Sequence, residues 1–331
     1  MTIHLDSDDI GRLCDEQIAF DAAEMALKAQ RAGEEQLPPR IDVNVPTGFL
    51  RVMPAALGEY MGAKVMTVSR GVGNRYLLLV YVQETGELLA TLDASEVTRL
   101  RTAATTALAG QLLHPGEVTR LGLVGTGFEA ESHLRAFTRL WPLNEVRVFS
   151  TSAERRTEFA RRMTAELGID VIAVDDVSEA CSTATVTVLC TKATTPVVDG
   201  SVFAPGGVVL SIGSTRPDLR ELDVTTFGRA RAVVVDDPVQ VMAESGDVVA
   251  AVHAGMIGAE SLISMAQWSH DSLNGGAGRD LLVFKSVGTA AQDLALGAVL
   301  IDSAREQGLG REIGEITELK GMMKTTLRGS A

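Results

Sequence analysis

The run LGLVGTGFEAESHL (121–134) limits what this chain can fold into more than any other stretch. It sets Gly125-x-Gly127-x-x-Ala130 between a short apolar strand and the start of an amphipathic helix. Gly125 permits a tight turn, Gly127 lets the backbone approach a pyrophosphate, and Ala130 keeps helix and strand close. Free N–H groups at the helix start add an attraction for anions. Gly125, Thr126, Gly127, Phe128, Glu129 and Ala130 are therefore candidate dinucleotide contacts.

The surrounding pattern supports that reading. EVRVFS, TVTVLC, GVVLSIG and RAVVVDD read as further buried strands, and FEAESHLRAFTRL and SAERRTEFARRMTAEL as helices between them. Apolar runs alternating with amphipathic helices predict a parallel sheet with crossover helices. The fold class is α/β, with a Rossmann-type doubly wound domain over 116–288. The rest of the chain, 1–115 and the tail, reads as mixed α/β. In that part, residues 7–31 read as one helix with Ser7 and Asp8 as caps, ended by QLPPR (36–40). RIDVNV, KVMTVS, RYLLLVYV and ELLATLD read as strands, with ETGE (84–87) as a hairpin turn. Residues 94–113 read as a closely packed helix rich in small residues, and the run from Val287 to about Leu309 as one long final helix.

Composition narrows the function classes. The 331 residues carry 43 acids against 30 bases, a formal net charge of -13, which argues against affinity for nucleic acid or anionic membrane. No apolar run is long enough to span a bilayer, and the N-terminus does not read as a signal peptide. Cys14, Cys181 and Cys190 are scattered, and no histidine has metal-ligand spacing, so no metal is expected. His133 reads as a packed or surface histidine. The expectation is a soluble cytoplasmic enzyme.

The turn after EVRVF speaks to cofactor type. NAD-binding units place an acid there for the ribose hydroxyls. Here Ser150, Thr151 and Ser152 occupy the turn, followed by Arg155 and Arg156. Hydroxyls and a nearby arginine suit a 2′-phosphate, so NADP is favoured and NAD remains possible. The alternative leaves both arginines as solvated positions on a surface helix.

PPR (38–40), VMPA (52–55), GAKV (62–65), ETG (84–86), LRTAATTALA (100–109), GLVGTGFEA (122–130), SIGSTRPDLRELD (211–223) and FKSVGTAAQDLAL (284–296) recur in this order. With them the chain resembles the ornithine cyclodeaminase/mu-crystallin family along nearly its whole length. The resemblance implies that the Rossmann-type domain over 116–288 is inserted in a mixed α/β substrate-binding and dimerisation domain made of 1–115 plus 289–331. It also implies a homodimer, a nicotinamide cofactor, and a small imino or amino acid substrate. It puts Arg40, Lys64 and Arg101 at positions that bind the substrate carboxylate and work on its nitrogen. It brings Cys190, Thr191, Ser211, Ile212 and Gly213 near the nicotinamide, and closes Ser286, Val287 and Gly288 over it.

The residues themselves agree on Lys64 and Arg101. Only 6 lysines accompany 24 arginines, and Lys64 lies inside the apolar run MGAKVMTV. A buried ammonium needs a partner or a task, and its pKa is easily lowered. Arg101 stands in a small, apolar helix segment where it could hold a carboxylate bidentately.

Two departures bear on the reaction. Cyclodeaminases of the family carry ELMP where this chain has RVMP, so Arg51 replaces a glutamate. They also carry an aspartate after the later IG, where this chain has the catalytic-position candidate Thr215. SIGSTRPDLRELD and TKATTP (191–196) look instead like the ketimine-reductase branch. The expected activity is NADPH-dependent reduction of a C=N bond beside a carboxylate. Ornithine cyclodeamination, NAD-dependent alanine dehydrogenation and non-catalytic ligand binding are the rivals. Arg51 is expected to be a strand arginine turned to solvent, the alternative being a further cation in the substrate pocket. Asp293 either orients a pocket group or is a polar position on the last helix.

Overall fold

A computed structural model describes residues 2–273 and 278–316. Chain order begins with strand β1 (Thr2–Leu5) and helices α1 (Ser7–Leu13) and α2 (Glu16–Ala32). Strands β2 (Glu35–Gln36), β3 (Ile41–Val45), β4 (Gly48–Leu57), β5 (Tyr60–Ser69), β6 (Gly73–Val82) and β7 (Leu88–Asp93) follow, then helix α3 (Ala94–Leu113). They form a mixed sheet in the order β7-β6-β5-β4, with both β2 and β3 on the far edge of β4. On the near side β1 pairs with β7 in parallel.

The second sheet is parallel throughout, in the order β10-β9-β8-β11-β12-β15-β13-β14. Its strands are β8 (Arg120–Val124), β9 (Glu145–Phe149), β10 (Asp170–Ala173), β11 (Val186–Leu189), β12 (Val208–Ser211), β13 (Ala230–Val235), β14 (Leu262–Ser264) and β15 (Leu281–Lys285). Helices α4 (Phe128–Leu140), α5 (Ala153–Leu167), α6 (Val177–Cys181), α7 (Val224–Gly228), α8 (Pro238–Glu244) and α9 (Gly246–His253) connect them. This is the Rossmann-type, doubly wound arrangement expected from the alternating pattern. Helix α10 (Ala290–Gln307) then returns to the first sheet, and β16 (Arg311–Gly314) pairs with β1.

Three local expectations are corrected. Residues 7–31 are two helices, not one, because Asp15 turns its carboxylate onto the N–H groups of Gln17 and Ile18 and starts α2 afresh. The first cap is Asp6, which forms a reciprocal capping box with Asp9, rather than Ser7 or Asp8. The last helix starts at Ala290, since the Thr289 hydroxyl caps it, and leaves Val287 and Gly288 in a loop.

Packing links the two sheets. The small residues of α3 let it lie deep, and Ala103, Ala104, Ala107 and Leu108 are buried with Phe137 and Trp141 of the Rossmann side in one core. A Cβ at Gly110 would lie 2.9 Å from the Trp141 ring. Helix α10 contributes Leu294, Leu296, Leu300 and Ile301 to the same core, each stabilising the fold by about 1.5–3 kcal/mol.

Candidate active site

A cleft of about 490 Å³ runs between the sheets. Its floor follows from the register of β4, β5 and β6. Met53, Lys64 and Leu78 lie side by side, then Arg51, Met66 and Tyr76, then Phe49, Val68 and Asn74. Alternate residues of a strand share a face, so the three rows point the same way. All but the fully buried Leu78 line the cleft.

Lys64 stands at the inner end. Its Nζ lies 2.6 Å from Asp293 Oδ2 and 3.3 Å from Thr98 Oγ1. Arg101 donates from Nε to Asp293 Oδ1 at 2.9 Å and from Nη1 to Gln292 Oε1 at 2.9 Å. Asp293 is therefore a bridge between two buried cations, not a polar position on a helix face. Its own exposure is zero. Burial pulls the Lys64 ammonium down to about 7, against the opposing attraction of Asp293.

Arg40 is held by one ion pair and two hydrogen bonds. Nε meets Glu244 Oε1 at 2.7 Å, and Nη2 donates to Gln240 Oε1 at 2.6 Å and to the Gly288 carbonyl at 2.5 Å. Arg51 corrects the expectation of a solvent-facing side chain: it is only 8 % exposed and lines the cleft. The reason is Asp42, directly opposite it on β3, which accepts from Arg51 Nε and Nη2 at 2.7 Å each. Glu244 lies 3.6 Å from Arg51 Nη1.

The glycine turn has the shape a dinucleotide requires. Gly125 has φ +121°, and a Cβ there would sit 2.7 Å from the Cys190 carbonyl. Around Gly127 the space is open. Gly127 caps α4 without a side-chain hydrogen bond, whereas every other α-helix among the described residues has an Asp, Ser or Thr side chain on its first turn. The N–H groups of α4 are thus left for an anion. Thr126 donates to the Ser150 hydroxyl at 3.2 Å, and Ser152 caps α5 through the Arg155 amide. The Arg155 side chain is exposed, while Arg156 is tied to the Ser150 carbonyl and Asp175. Phe128 is largely exposed, Ala130 is buried, and Glu129 lines the cleft with its carboxyl pushed up by burial.

Cys190, Thr191, Ile212, Gly213, Thr215, Ser286, Val287 and Gly288 all line the cleft. Thr151 is exposed and lies, with Ser150, Ser152 and Arg155, away from it. Ser211 also departs from its expected place. It is fully buried and donates to Glu221 Oε2 at 2.7 Å.

The carboxylate it meets was missed by sequence reasoning, together with its neighbours. Glu221 also accepts from the Thr191 amide, the Thr191 hydroxyl and the Gly213 amide, clamping the turns after β11 and β12. Asp247 accepts from the amides of Glu221 and Leu222, and Lys285 lies 3.5 Å from it. Asp236 similarly accepts from the Ser286 hydroxyl and the amides of Val287 and Gly288. The rule that singled out Lys64, a rare lysine in an apolar run, applies equally to Lys285 in LLVFK. His133 is buried, bonded through Nδ1 to the Glu129 carbonyl at 2.6 Å and through Nε2 to Thr106 at 3.1 Å.

A doubly wound parallel sheet whose uncapped glycine turn adjoins a cleft with buried cations defines a Rossmann-type nicotinamide-dependent class of protein. The chain belongs to the ornithine cyclodeaminase/mu-crystallin family, whose profile matches residues 4–308. It is 34% identical over 266 residues to ketimine reductase mu-crystallin of Mus musculus, covering 77% of this chain and 80% of that protein. A structure of Thermococcus litoralis Delta(1)-pyrroline-2-carboxylate reductase, in complex with NADH and L-proline, superposes with TM-score 0.87 at 26% identity, covering 94% of this chain and 100% of that one. An archaeal alanine dehydrogenase dimer with bound NAD superposes with TM-score 0.86 at 28% identity, covering 95% and 99%.

Proposed function

We propose that this chain reduces a carbon–nitrogen double bond adjacent to a carboxylate, with NADPH preferred over NADH. The observation that carries the reading is the buried Lys64, lowered to about 7 and held 2.6 Å from Asp293 beside Arg101. An ammonium with that pKa gives up a proton readily at neutral pH. Relatives whose names specify ketimine or Delta(1)-pyrroline-2-carboxylate reductase support the substrate class.

The bound nicotinamide supplies a hydride. The chain's own residues orient the substrate and manage its proton. Arg101, whose Nη2 is not engaged by Asp293 or Gln292, and Arg40 fix the carboxylate. Lys64 delivers its proton to the imine nitrogen, and Asp293 holds the lysine in place. Gly125 and Gly127, with the first turn of α4, receive the pyrophosphate. Cys190, Thr191, Ile212 and Gly213 wall the nicotinamide, and Ser286, Val287 and Gly288 cover it. Ser150, Thr151, Ser152 and the exposed Arg155 receive a 2′-phosphate, since the turn after β9 offers no carboxylate to repel one.

The unit of function is a homodimer with domains 1–115 plus 289–331 and 116–288, of which 1, 274–277 and 317–331 lie outside the described residues. An apolar row supports the dimer: Ile41, Val52, Val65 and Leu77 lie side by side across β3 to β6, on the face opposite Lys64. Ile41 and Val43 are 61% and 53% exposed. A cytoplasmic setting fits these assignments, and no helix among the described residues is long and apolar enough to cross a membrane.

The test follows NADPH and NADH consumption with Delta(1)-pyrroline-2-carboxylate and with pyruvate plus methylamine. Ornithine with NAD is the contrasting reaction. Imine turnover favouring NADPH is the expected result. Proline formed from ornithine, with no imine turnover, would overturn the proposal.

A further inference from the structure

The outer half of the cleft floor carries a specificity. On β5 the side chains facing the cleft run outward from Lys64 to Met66 to Val68, and each step of two residues advances about 6.6–6.8 Å. A substrate whose nitrogen meets Lys64 must lay its side chain over Met66 and Val68. Flanking it are Phe49 and Arg51 on β4 and Tyr76 and Asn74 on β6.

Arg51 is the charged group on that path, and its charge is committed. Asp42 takes two of its donors in a parallel, bidentate pair at 2.7 Å, and the Phe49 ring lies 5.5 Å from its guanidinium carbon. The pair holds Asp42 below the usual carboxylate range. Elsewhere in the cleft the arginines are matched in the same way. Arg40 meets Glu244, and Arg216 meets Asp218 in another bidentate pair at 2.8–3.0 Å. Lys192 lies exposed on the opposite wall, where solvent and salt screen it. In the buried part, Arg40 and Arg51 share Glu244 but have Asp42 as a second anion, whereas Lys64 and Arg101 both pair with Asp293. That site has a surplus for a single carboxylate.

On the reading of the cleft as an imino acid site, we infer that the substrate side chain is apolar and uncharged, and that Asp42 enforces this by neutralising Arg51. A second carboxylate placed over Met66 would have to displace Asp42 from Arg51 or lie unpaired beside it, at a desolvation cost. An alkyl chain instead covers Met66 and Val68 and leaves the pair intact.

The experiment compares kcat/KM for pyruvate, 2-oxobutyrate, 2-oxohexanoate and 2-oxoglutarate, each with methylamine and NADPH. The wild type is expected to gain at least about fivefold with each lengthening of the apolar chain and to use 2-oxoglutarate about 100-fold less well than 2-oxohexanoate. Asp42→Asn keeps the size of the side chain but removes the bidentate anion, leaving Arg51 only Glu244 at 3.6 Å, which Arg40 already engages at 2.7 Å. It should improve the 2-oxoglutarate to 2-oxohexanoate ratio by about tenfold, and adding Arg51→Met to it should remove that gain. A wild type that uses 2-oxoglutarate as well as 2-oxohexanoate would overturn the inference. So would a ratio unchanged in a folded Asp42→Asn protein. Both results leave the reductase reading standing. Silence on every 2-oxo acid and on Delta(1)-pyrroline-2-carboxylate defeats that reading, and this inference with it.

Discussion

The Asp293 carboxylate lies 2.6 Å from the Lys64 ammonium on one oxygen and 2.9 Å from Arg101 Nε on the other. Neither side chain of the Lys64–Asp293 pair is more than 2 % exposed. The pair joins strand β5 to the first turn of α10, so one buried contact ties the chain's last helix to the substrate floor.

The pair sets a pH dependence. Lys64 loses its proton as pH rises through about 7, so kcat/KM for imine reduction should fall above that pH along a one-proton limb. Asp293→Asn removes the attraction that favours the ammonium. The limb should then move to lower pH, kcat/KM at pH 7 should fall about 100-fold, and stability should drop by about 3–5 kcal/mol because two buried cations lose their anion. A pH–rate profile of both proteins, with urea unfolding, checks all three.

His133 makes a separate prediction about acid stability. Burial pulls its pKa from 6.5 down to about 4, so between those values the unfolded chain binds a proton that the folded chain refuses. Stability therefore falls as pH drops from 6.5 toward 4 and changes no further below it on this account, a loss on the order of 3 kcal/mol. His133→Gln should flatten that part of the curve. Chemical unfolding at pH 7, 5.5 and 4 reads it directly.

Gly288 tests how the covering loop meets the arginine. It has φ +75°, and a Cβ there would run into the Arg101 guanidinium. Gly288→Ala should push Arg101 off the Asp293 and Gln292 contacts. We expect KM for the imine to rise at least about tenfold, with NADPH affinity changed far less. Steady-state kinetics beside cofactor titration separates the two.

The uncovered apolar row predicts assembly. Replacing Ile41 and Val43, 61% and 53% exposed, with Lys should convert a dimer to a monomer in analytical ultracentrifugation. A wild type that sediments as a monomer would defeat the dimer proposal.

The parts readable from sequence were those in which one local pattern carries the whole meaning. The Gly125 turn announces itself through strand, glycines and helix together, and Lys64 through its rarity in an apolar run. What escaped depends on partners distant in the chain. Strand β15 slots between β12 and β13 although β14 precedes it in sequence, and no local periodicity encodes that order. Strands β1 and β16 are four residues each and pair with one another from opposite ends of the chain. The break at Asp15 was hidden because Ile10, Cys14 and Ile18 keep helical spacing across it. Glu221, Asp236 and Asp247 carry no local signal, yet each is buried and accepts backbone amides from other segments. Arg51 was misjudged because its burial depends on Asp42 across a strand pair.

On the proposed mechanism, Lys64 handles the proton of the reaction without holding the cofactor. Lys64→Ala, assayed with Delta(1)-pyrroline-2-carboxylate and titrated with NADPH by fluorescence, tests it most directly. Cofactor affinity within about twofold of wild type is expected, with kcat reduced at least about 100-fold. Turnover at the wild-type rate in the variant would contradict it.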